Sequence, residues 1–386
     1  MAQPPTIYDV ARIAGVSIAS VSRVLNDSRT TRAETREKVR LAVAELGFVA
    51  DGAGRALGSR LKEVIGVVVR RPSVAGAHFA DEDDSLQFPD MINRGMELVA
   101  QRYGFDLLVR SVDLDDTGSY ERIFALARKS DGLILHDQIL RPAQLARLAK
   151  QVPVVSLAGL PSPGTVNVRS DNNTGIEALA DHLIRGHRYQ SLGYITGHGD
   201  SPDSMKRQDA VVRAAAAADV PIETGESWQG NYSASGGAWV IEGLIAAGAA
   251  IPRAIVCAND QTAIGVIYAL RQAGLRVPDD VAVTGFDDIP IARHLQPPLT
   301  TSRQPIQDLG ATAIETVHSM ILARAAGTGR ATAEQGSGGP VPGQRSASAG
   351  DPGPEQPHGR EIVLPTSLIV RESCGCRPAR GTEASR

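Results

Sequence analysis

From Val64 to Phe286 the chain alternates short apolar runs with longer stretches of helical spacing. The apolar runs are VIGVVV (64–69), FDLLV (105–109), GLILH (132–136) and VPVVSL (152–157), then TVNV (165–168), SLGYIT (191–196), AIVCA (254–258) and VAVTGF (281–286). Helical patterns lie between them, around 90–103, 119–129, 143–150, 174–186, 205–219, 234–248 and 261–274. A strand that is apolar on both faces has to be covered on both faces. That predicts parallel sheets clad in helices. The runs fall into two series, so two doubly wound α/β subdomains are expected. Ligands of such sheets bind beyond the carboxyl ends of the strands.

The first fifty residues have a different texture. Thr6 with Asp9 marks a helix start near Ile7, and Val10, Ala11 and Ala14 share one face. Gly15 supplies the turn, Ser17 can cap a second helix, and Val21, Val24 and Leu25 point inward. Thr31 and Glu34 read as a capping box for a third helix, which Gly47 ends. Two helices around a Gly turn fit a helix-turn-helix, although spacing alone also admits an αα-hairpin in any bundle. Charge favours the former. Residues 1–62 hold ten Lys and Arg against six Asp and Glu, leaving 30 against 37 for the rest. A basic head on an acidic body suits an anionic partner for the head alone.

At 386 residues the chain needs more than one core. Residues 51–62, DGAGRALGSRLK, carry three Gly and read as a flexible hinge (51–63). Residues 327–359 hold nine Gly and five Pro, and read as a disordered insertion after a helix at 308–325. EIVLPTSLIV (361–370) reads as one strand, and 377–386 as a loose tail. The expected domains are a helix-turn-helix head (1–50), the hinge, and an effector-binding and dimerisation body (64–376). Within the body, an N-subdomain takes about 64–162 and 290–325, and a C-subdomain about 163–289 and 360–376.

Cys257, Cys374 and Cys376 make no disulfide framework and no four-ligand zinc site by their spacing. Cys-Gly-Cys reads as idle tail, with redox chemistry the remote alternative. His182 and His187 lie five apart, off one helix face. No metal and no cofactor is expected. The start MAQPPTIYDV lacks a signal-peptide pattern, and no apolar run is long enough to span a bilayer. A cytoplasmic protein without membrane attachment is expected.

YDVARIAGVSIASVSRVLN followed by TREKVRLAVAELGF resembles the head of the LacI/GalR family of bacterial transcription regulators. The resemblance continues in GHRYQSLGYITG (186–197), CANDQTAIGVIYALRQAGLRVPDDVAVTGFDDIP (257–290), PLTTSRQP (298–305) and LIVRES (368–373). It covers nearly the whole chain, except an acidic loop near 81–84 and the 327–359 stretch. It implies a body of periplasmic-binding-protein type and a homodimer on double-stranded operator DNA. It also places Ile18, Ala19 and Arg23 against base edges, where Arg23 can pair with guanine. Ser17, Ser22 and Tyr8 then serve as phosphate contacts, though Tyr8 equally suits a core ring with an exposed hydroxyl. Leu57 stands where the family wedges a leucine into the minor groove. Ala50, Asp51 and Gly52 depart from the usual Pro, Asn and basic or small residue, and Gly54 weakens the hinge helix further.

The strand ends carry polar residues: His136-Asp137, Asp171-Asn172, Gly197–Asp200, Asn259-Asp260 and Asp287-Asp288. Such groups converging on one sheet edge suit a hydroxyl-rich ligand. For Asp171 and Asp288, capping the next helix is an equal alternative. The resemblance makes Arg207, Asn259, Asp260 and Asp287 effector contacts, although Ala210-Val211 replaces the family's Gly-Phe after the arginine. Phe88 suits a sugar-stacking ring or a core aromatic, and Asp137 is a further effector candidate. The expected function is repression relieved by a small polyhydroxylated ligand such as a sugar. A corepressor-dependent regulator and a sugar-binding protein without regulatory role are the alternatives. No phosphate-binding Gly loop and no G-x-S-x-G elbow supports an enzyme.

Overall fold

Three short helices close around six buried side chains at the head of the chain: Val10, Ala11, Ala14, Val21, Val39 and Ala42. They are α1 (Ile7–Ala14), α2 (Ile18–Leu25) and α3 (Ala33–Leu46). The Asp9 carboxylate accepts both the Thr6 N–H (3.0 Å) and the Thr6 hydroxyl (2.7 Å), which fixes the start of α1. Gly15 sits at φ 63°, a left-handed conformation that side chains resist, and turns the chain into α2. Ser17 Oγ then accepts the Ser20 N–H (3.2 Å). The expected Thr31–Glu34 box does not form. The helix starts at Ala33, the Thr31 hydroxyl is buried without a partner among the described residues, and Glu34 instead pairs with Lys38 (2.8 Å).

The computed structural model describes residues 5–25, 31–48, 61–70, 87–113, 118–136, 139–334 and 359–377, with backbone alone over 327–334. Leu57, Asp137, hinge residues 51–60, insertion residues 335–358 and tail residues 378–386 lie outside the described residues.

The body holds two six-stranded sheets. The first runs β11–β5–β4–β3–β1–β2. Its strands are β1 (Val64–Arg70), β2 (Asp106–Val112), β3 (Gly132–His136), β4 (Val154–Leu157), β5 (Val166–Ser170) and β11 (Arg360–Leu364), all parallel. On one face Ile65, Val67, Ile134 and Val155 pack with α4 (Gln87–Tyr103) and α11 (Ile306–Glu334). On the other, Val68, Leu133, Leu135 and Val154 join Ile123 and Leu126 of α5 (Ser119–Lys129) and Leu145 and Leu148 of α6 (Pro142–Ala149). Burying each such side chain contributes roughly 1.5–3 kcal/mol.

The second sheet runs β12–β10–β9–β8–β6–β7. Its strands are β6 (Leu192–Ile195), β7 (Ile222–Glu223), β8 (Ala254–Cys257), β9 (Ala282–Asp287), β10 (Thr300–Arg303) and β12 (Ser367–Ile369). Helices α7 (Asn172–Asp181) and α8 (Pro202–Ala217) cover one face with Leu179, Ala210 and Val211. Helices α9 (Ala234–Ala246) and α10 (Asp260–Gln272) cover the other with Val240, Ile241, Val266 and Leu270.

The chain passes between the sheets three times: after β5, after β10 and after β11. This revises the expected subdomain boundaries. Residues 166–170 belong to the first sheet rather than the second, because Val155–Leu157 pair with Val166–Val168. Residues 300–303 belong to the second, paired with β9. The single strand expected at 361–370 is two. Pro365 offers no N–H to a ladder, so the chain leaves β5 there and continues antiparallel to β10 as β12. The second sheet is therefore mixed. Helix α11 also continues through 327–334, where the sequence reading places the start of a disordered insertion. Five alanines over 323–333 favour the helix enough to carry it past Gly327 and Gly329.

The crossing segments are tied to one another. Asp171 donates its N–H to the Leu364 carbonyl (2.8 Å), and Thr366 donates its hydroxyl to the Asp171 carbonyl (2.9 Å). Ser170 Oγ donates to Gln304 Oε1 (2.7 Å).

Candidate functional site

The carboxyl ends of the two sheets meet across a cleft. Arg70, at the end of β1, pairs with Asp200 beyond β6 (2.7 Å). Glu361 on β11 pairs with Arg169 (2.8 Å) and lies 3.9 Å from Lys206 on α8.

Arg207 stands at the centre of the polar residues on the second sheet's side, and is 4% exposed. Ser201 caps α8, Pro202 opens it, and Arg207 follows on the face toward β6. Its Nε donates to Asn172 Oδ1 (2.8 Å) and its Nη1 to the Ala258 carbonyl (2.6 Å). Nη2 lies 3.8 Å from Asp203 Oδ2, and the guanidinium stacks 3.7 Å from the Phe286 ring centre. Asn172 also donates to Asp203 Oδ1 (2.8 Å), closing a buried triad. A planar guanidinium held this way presents its remaining N–H groups in a fixed plane, suited to vicinal hydroxyls or a carboxylate.

Asp287 ends β9 with φ 122°, a conformation that a non-Gly residue adopts only under constraint. Its Oδ1 accepts from Gln304 Nε2 (2.5 Å). Burial raises its pKa to about 7, against the opposing pull of Arg207 and the Gln304 hydrogen bond. Burial likewise raises Asp203. A carboxyl that titrates near neutrality, as Asp287 does, can donate as well as accept beside a buried cation, which matches a hydroxyl's own dual character.

Asn259 and Asp260 are drawn into the framework. Asn259 Oδ1 accepts the N–H (2.9 Å) and hydroxyl (2.7 Å) of Thr262, capping α10, while its Nδ2 donates to the Tyr232 carbonyl (3.1 Å). Both Asp260 oxygens are occupied, by the Thr301 hydroxyl (2.6 Å) and the Ile289 N–H (2.9 Å). Burial, and then the nearby Asp287 charge, raise the Asp260 pKa well above its ordinary value. Asp171 caps α7 through the Thr174 N–H (3.2 Å). Asp288 does no such capping: it binds Arg303 (2.7 Å) and Arg371 (2.6 Å).

Phe88 belongs to α4 and is half-buried against the apolar core. Burial lowers the pKa of His136, at the end of β3, to about 4. Four residues of this region escaped the sequence reading. Asp203 was accessible to it, one helical turn before Arg207. Tyr232, Phe286 and Gln304 were not, since nothing in their spacing marks them. Tyr232 accepts or donates at Ser201 Oγ (3.2 Å) and lies edge-on to His198 (5.4 Å).

The expectation that His182 and His187 lie off one helix face is overturned by a π-turn over His182–Gly186. An α-helix would turn them apart, but the wider turn brings the two Nε2 atoms to 3.2 Å. Cys-Gly-Cys is not idle tail either: Cys374 is buried and Cys376 partly so, beside those histidines.

In the head, Ser17, Ile18, Ala19 and Arg23 are exposed along one side of α2, and Tyr8 of α1 is 68% exposed. Ser22 is half-buried. Val21 is buried on the opposite side.

A basic helix-turn-helix joined to a two-lobed body with a polar cleft defines a ligand-responsive DNA-binding regulator. Residues 6–51 match the model for bacterial regulatory proteins of the lacI family, and 180–342 that for a periplasmic binding protein-like domain. The HTH-type transcriptional regulator GalS of Salmonella typhimurium is 33% identical over 329 residues, spanning 84% of this chain and 91% of that protein. The HTH-type transcriptional repressor PurR of Vibrio parahaemolyticus is 31% identical, spanning 80% and 90%. The chain belongs to the LacI family of bacterial regulatory proteins. A Lac repressor dimer bound to operator and the anti-inducer ONPF shares the fold with a TM-score of 0.73, at 24% identity over 96% of this chain and 99% of that one. A complex of the transcriptional regulator CelR with cellobiose gives 0.61 at 26% identity, over 96% and 99%. No helix among the described residues is long and apolar enough to cross a membrane.

Proposed function

We propose that this regulator is a homodimeric repressor whose hold on operator DNA is set by a small polyhydroxylated ligand, a sugar or sugar derivative, bound in the cleft. The observation that carries the reading is the buried Arg207–Asn172–Asp203 triad beside Asp287, a donor and acceptor set for neighbouring hydroxyls. CelR with its cellobiose supports the ligand class, and the operator-bound Lac repressor supports the dimer. Arg207 and Asp287 bind the ligand directly, while Asn259 and Asp260 hold the loops around it. Phe88 and Asp137 are the contacts from the opposite lobe. The relatives are transcription regulators, which supports binding without catalysis, and an operator target supports a cytoplasmic location.

In the head, Ile18 and Ala19 pack on groove features such as thymine methyls, and Arg23 hydrogen-bonds to a base edge. Ser17, Ser22 and Tyr8 set register on the phosphates, and Leu57 wedges into the minor groove.

The test is fluorescence anisotropy on the protein's own upstream DNA, with and without a panel of sugars. A sugar that loosens a palindrome-specific complex supports an inducible repressor; one that tightens it marks a corepressor. Binding that falls with salt but prefers no palindrome would overturn the reading. Exchanging Ile18 and Ala19 for polar residues is expected to change the preferred operator and leave the sugar response intact.

A further inference from the structure

We propose that His182, His187, Cys374 and Cys376 form a tetrahedral zinc site that fastens the end of the described chain to the C-terminal lobe. Their donor atoms all lie within 4.8 Å of one another. His182 Nε2 is 3.2 Å from His187 Nε2, 3.3 Å from Cys374 Sγ and 3.7 Å from Cys376 Sγ. Cys376 Sγ is 3.3 Å from His187 Nε2. Zinc at about 2.0–2.1 Å from nitrogen and about 2.3 Å from sulfur needs ligand-to-ligand edges of about 3.3–3.8 Å. Four of the six edges, at 3.2–3.7 Å, fall at or within about 0.1 Å of that range, and all six are within 4.8 Å, so binding draws the donors slightly together.

Hydrogen bonding alone cannot satisfy this arrangement. An imidazole Nε2 has one in-plane lone pair or one N–H, so it serves one partner well. His182 Nε2 has three neighbours at contact distance. A single cation between the four donors engages all of them at once.

The backbone is shaped to the cluster from both sides. The π-turn donates the His187 N–H to the His182 carbonyl (3.1 Å), putting residues five apart on one face. Gly375, at φ 103°, reverses the chain so that the cysteines on either side of it point the same way. A Cβ there would also lie 3.0 Å from Tyr189 Oη. Tyr189 donates that hydroxyl to the Cys374 carbonyl (2.9 Å) and stacks on His187 (5.5 Å). Thr300 Oγ1, 3.1 Å from Cys374 Sγ, is placed to donate to a thiolate. Three of the four ligands are only partly buried, which leaves zinc a way in. The consequence is structural: β12 is held to β10 by three residue pairs, and zinc anchors the segment that follows it.

The full-length protein, stripped with a chelator and titrated with zinc, is expected to bind one zinc per chain by plasma mass spectrometry. Cobalt(II) in its place is expected to give thiolate-to-metal charge-transfer absorption and the intense visible bands of a tetrahedral ion. Cys376→Ser and His187→Asn, both at partly exposed positions, should each weaken zinc by about 100-fold or more. Circular dichroism checks that they fold, and Cys257→Ala should retain the metal. Folded wild-type chain that takes up neither zinc nor cobalt would overturn the site, as would variants that bind as tightly as wild type. A Cys374–Cys376 disulfide that persists under thiol reductant would do so too.

Discussion

Strand for strand, the two sheets of the body follow one plan: a central strand, an edge strand on one side, three successive parallel strands on the other, and a last strand returning from the C-terminal end. Their carboxyl ends differ sharply in charge. The second sheet and its helices bring Asp203, Arg207, Asp260, Asp287 and Asp288 into the interior. The first contributes Arg70, which is partly exposed, the mutually neutralising Arg169–Glu361 pair, His136, which burial keeps neutral, and the buried Ser170. One lobe thus holds the specific chemistry and the other a nearly neutral wall. A shared scaffold lets one half bear the desolvation cost of buried charge while the other supplies apolar stability.

The largest expected effect comes from removing the cation of the charged lobe. Arg207→Ala leaves Asp203 and Asp287 buried without it, and should cost about 3–5 kcal/mol in urea unfolding. It should also abolish the ligand-induced rise in Tm. Leu148→Ala in the neutral lobe should cost about 2–5 kcal/mol by the same measurement. Ligand affinity, read by calorimetry, should stay within a few-fold of wild type. A large loss of affinity there would break the division of labour.

Asp287→Asn sharpens the comparison through pH. The folded chain holds the Asp287 proton up to about 7, where the ordinary value is 3.8. Between those values the folded state binds more protons than the unfolded one, so stability falls as pH rises across that window. The asparagine variant should show a shallower fall in urea midpoint. Arg70→Ala should have the smallest effect, at most about 1 kcal/mol, because its ion pair with Asp200 lies largely in water.

The sheets were legible because their strands are apolar on both faces, and Arg207 and Asp287 because strand ends and family motifs mark them. The division between lobes was not. Val166 and Val168 would pack equally well in either sheet, and only the edge offered by β4 decides between them. Pro365 was visible, but its role as a crossing point depends on which edges lie on either side. The cluster of two histidines and two cysteines was hidden by its own spacing. A separation of five reads as opposite faces until a π-turn is allowed, and the cysteines come from nearly two hundred residues away.

The three crossing segments also set what kind of message the cleft can send. Hydrogen bonds tie them side by side through Ser170, Asp171, Gln304, Leu364 and Thr366. Three short straps in a row bend readily about the line that runs across them. They resist torsion, because twisting one lobe on the other lengthens the outer straps, and so short a segment has little length to give. The lobes therefore retain close to a single mechanical degree of freedom. On the proposed function, the signal for the head is then a hinge angle, one number, whichever molecule sets it.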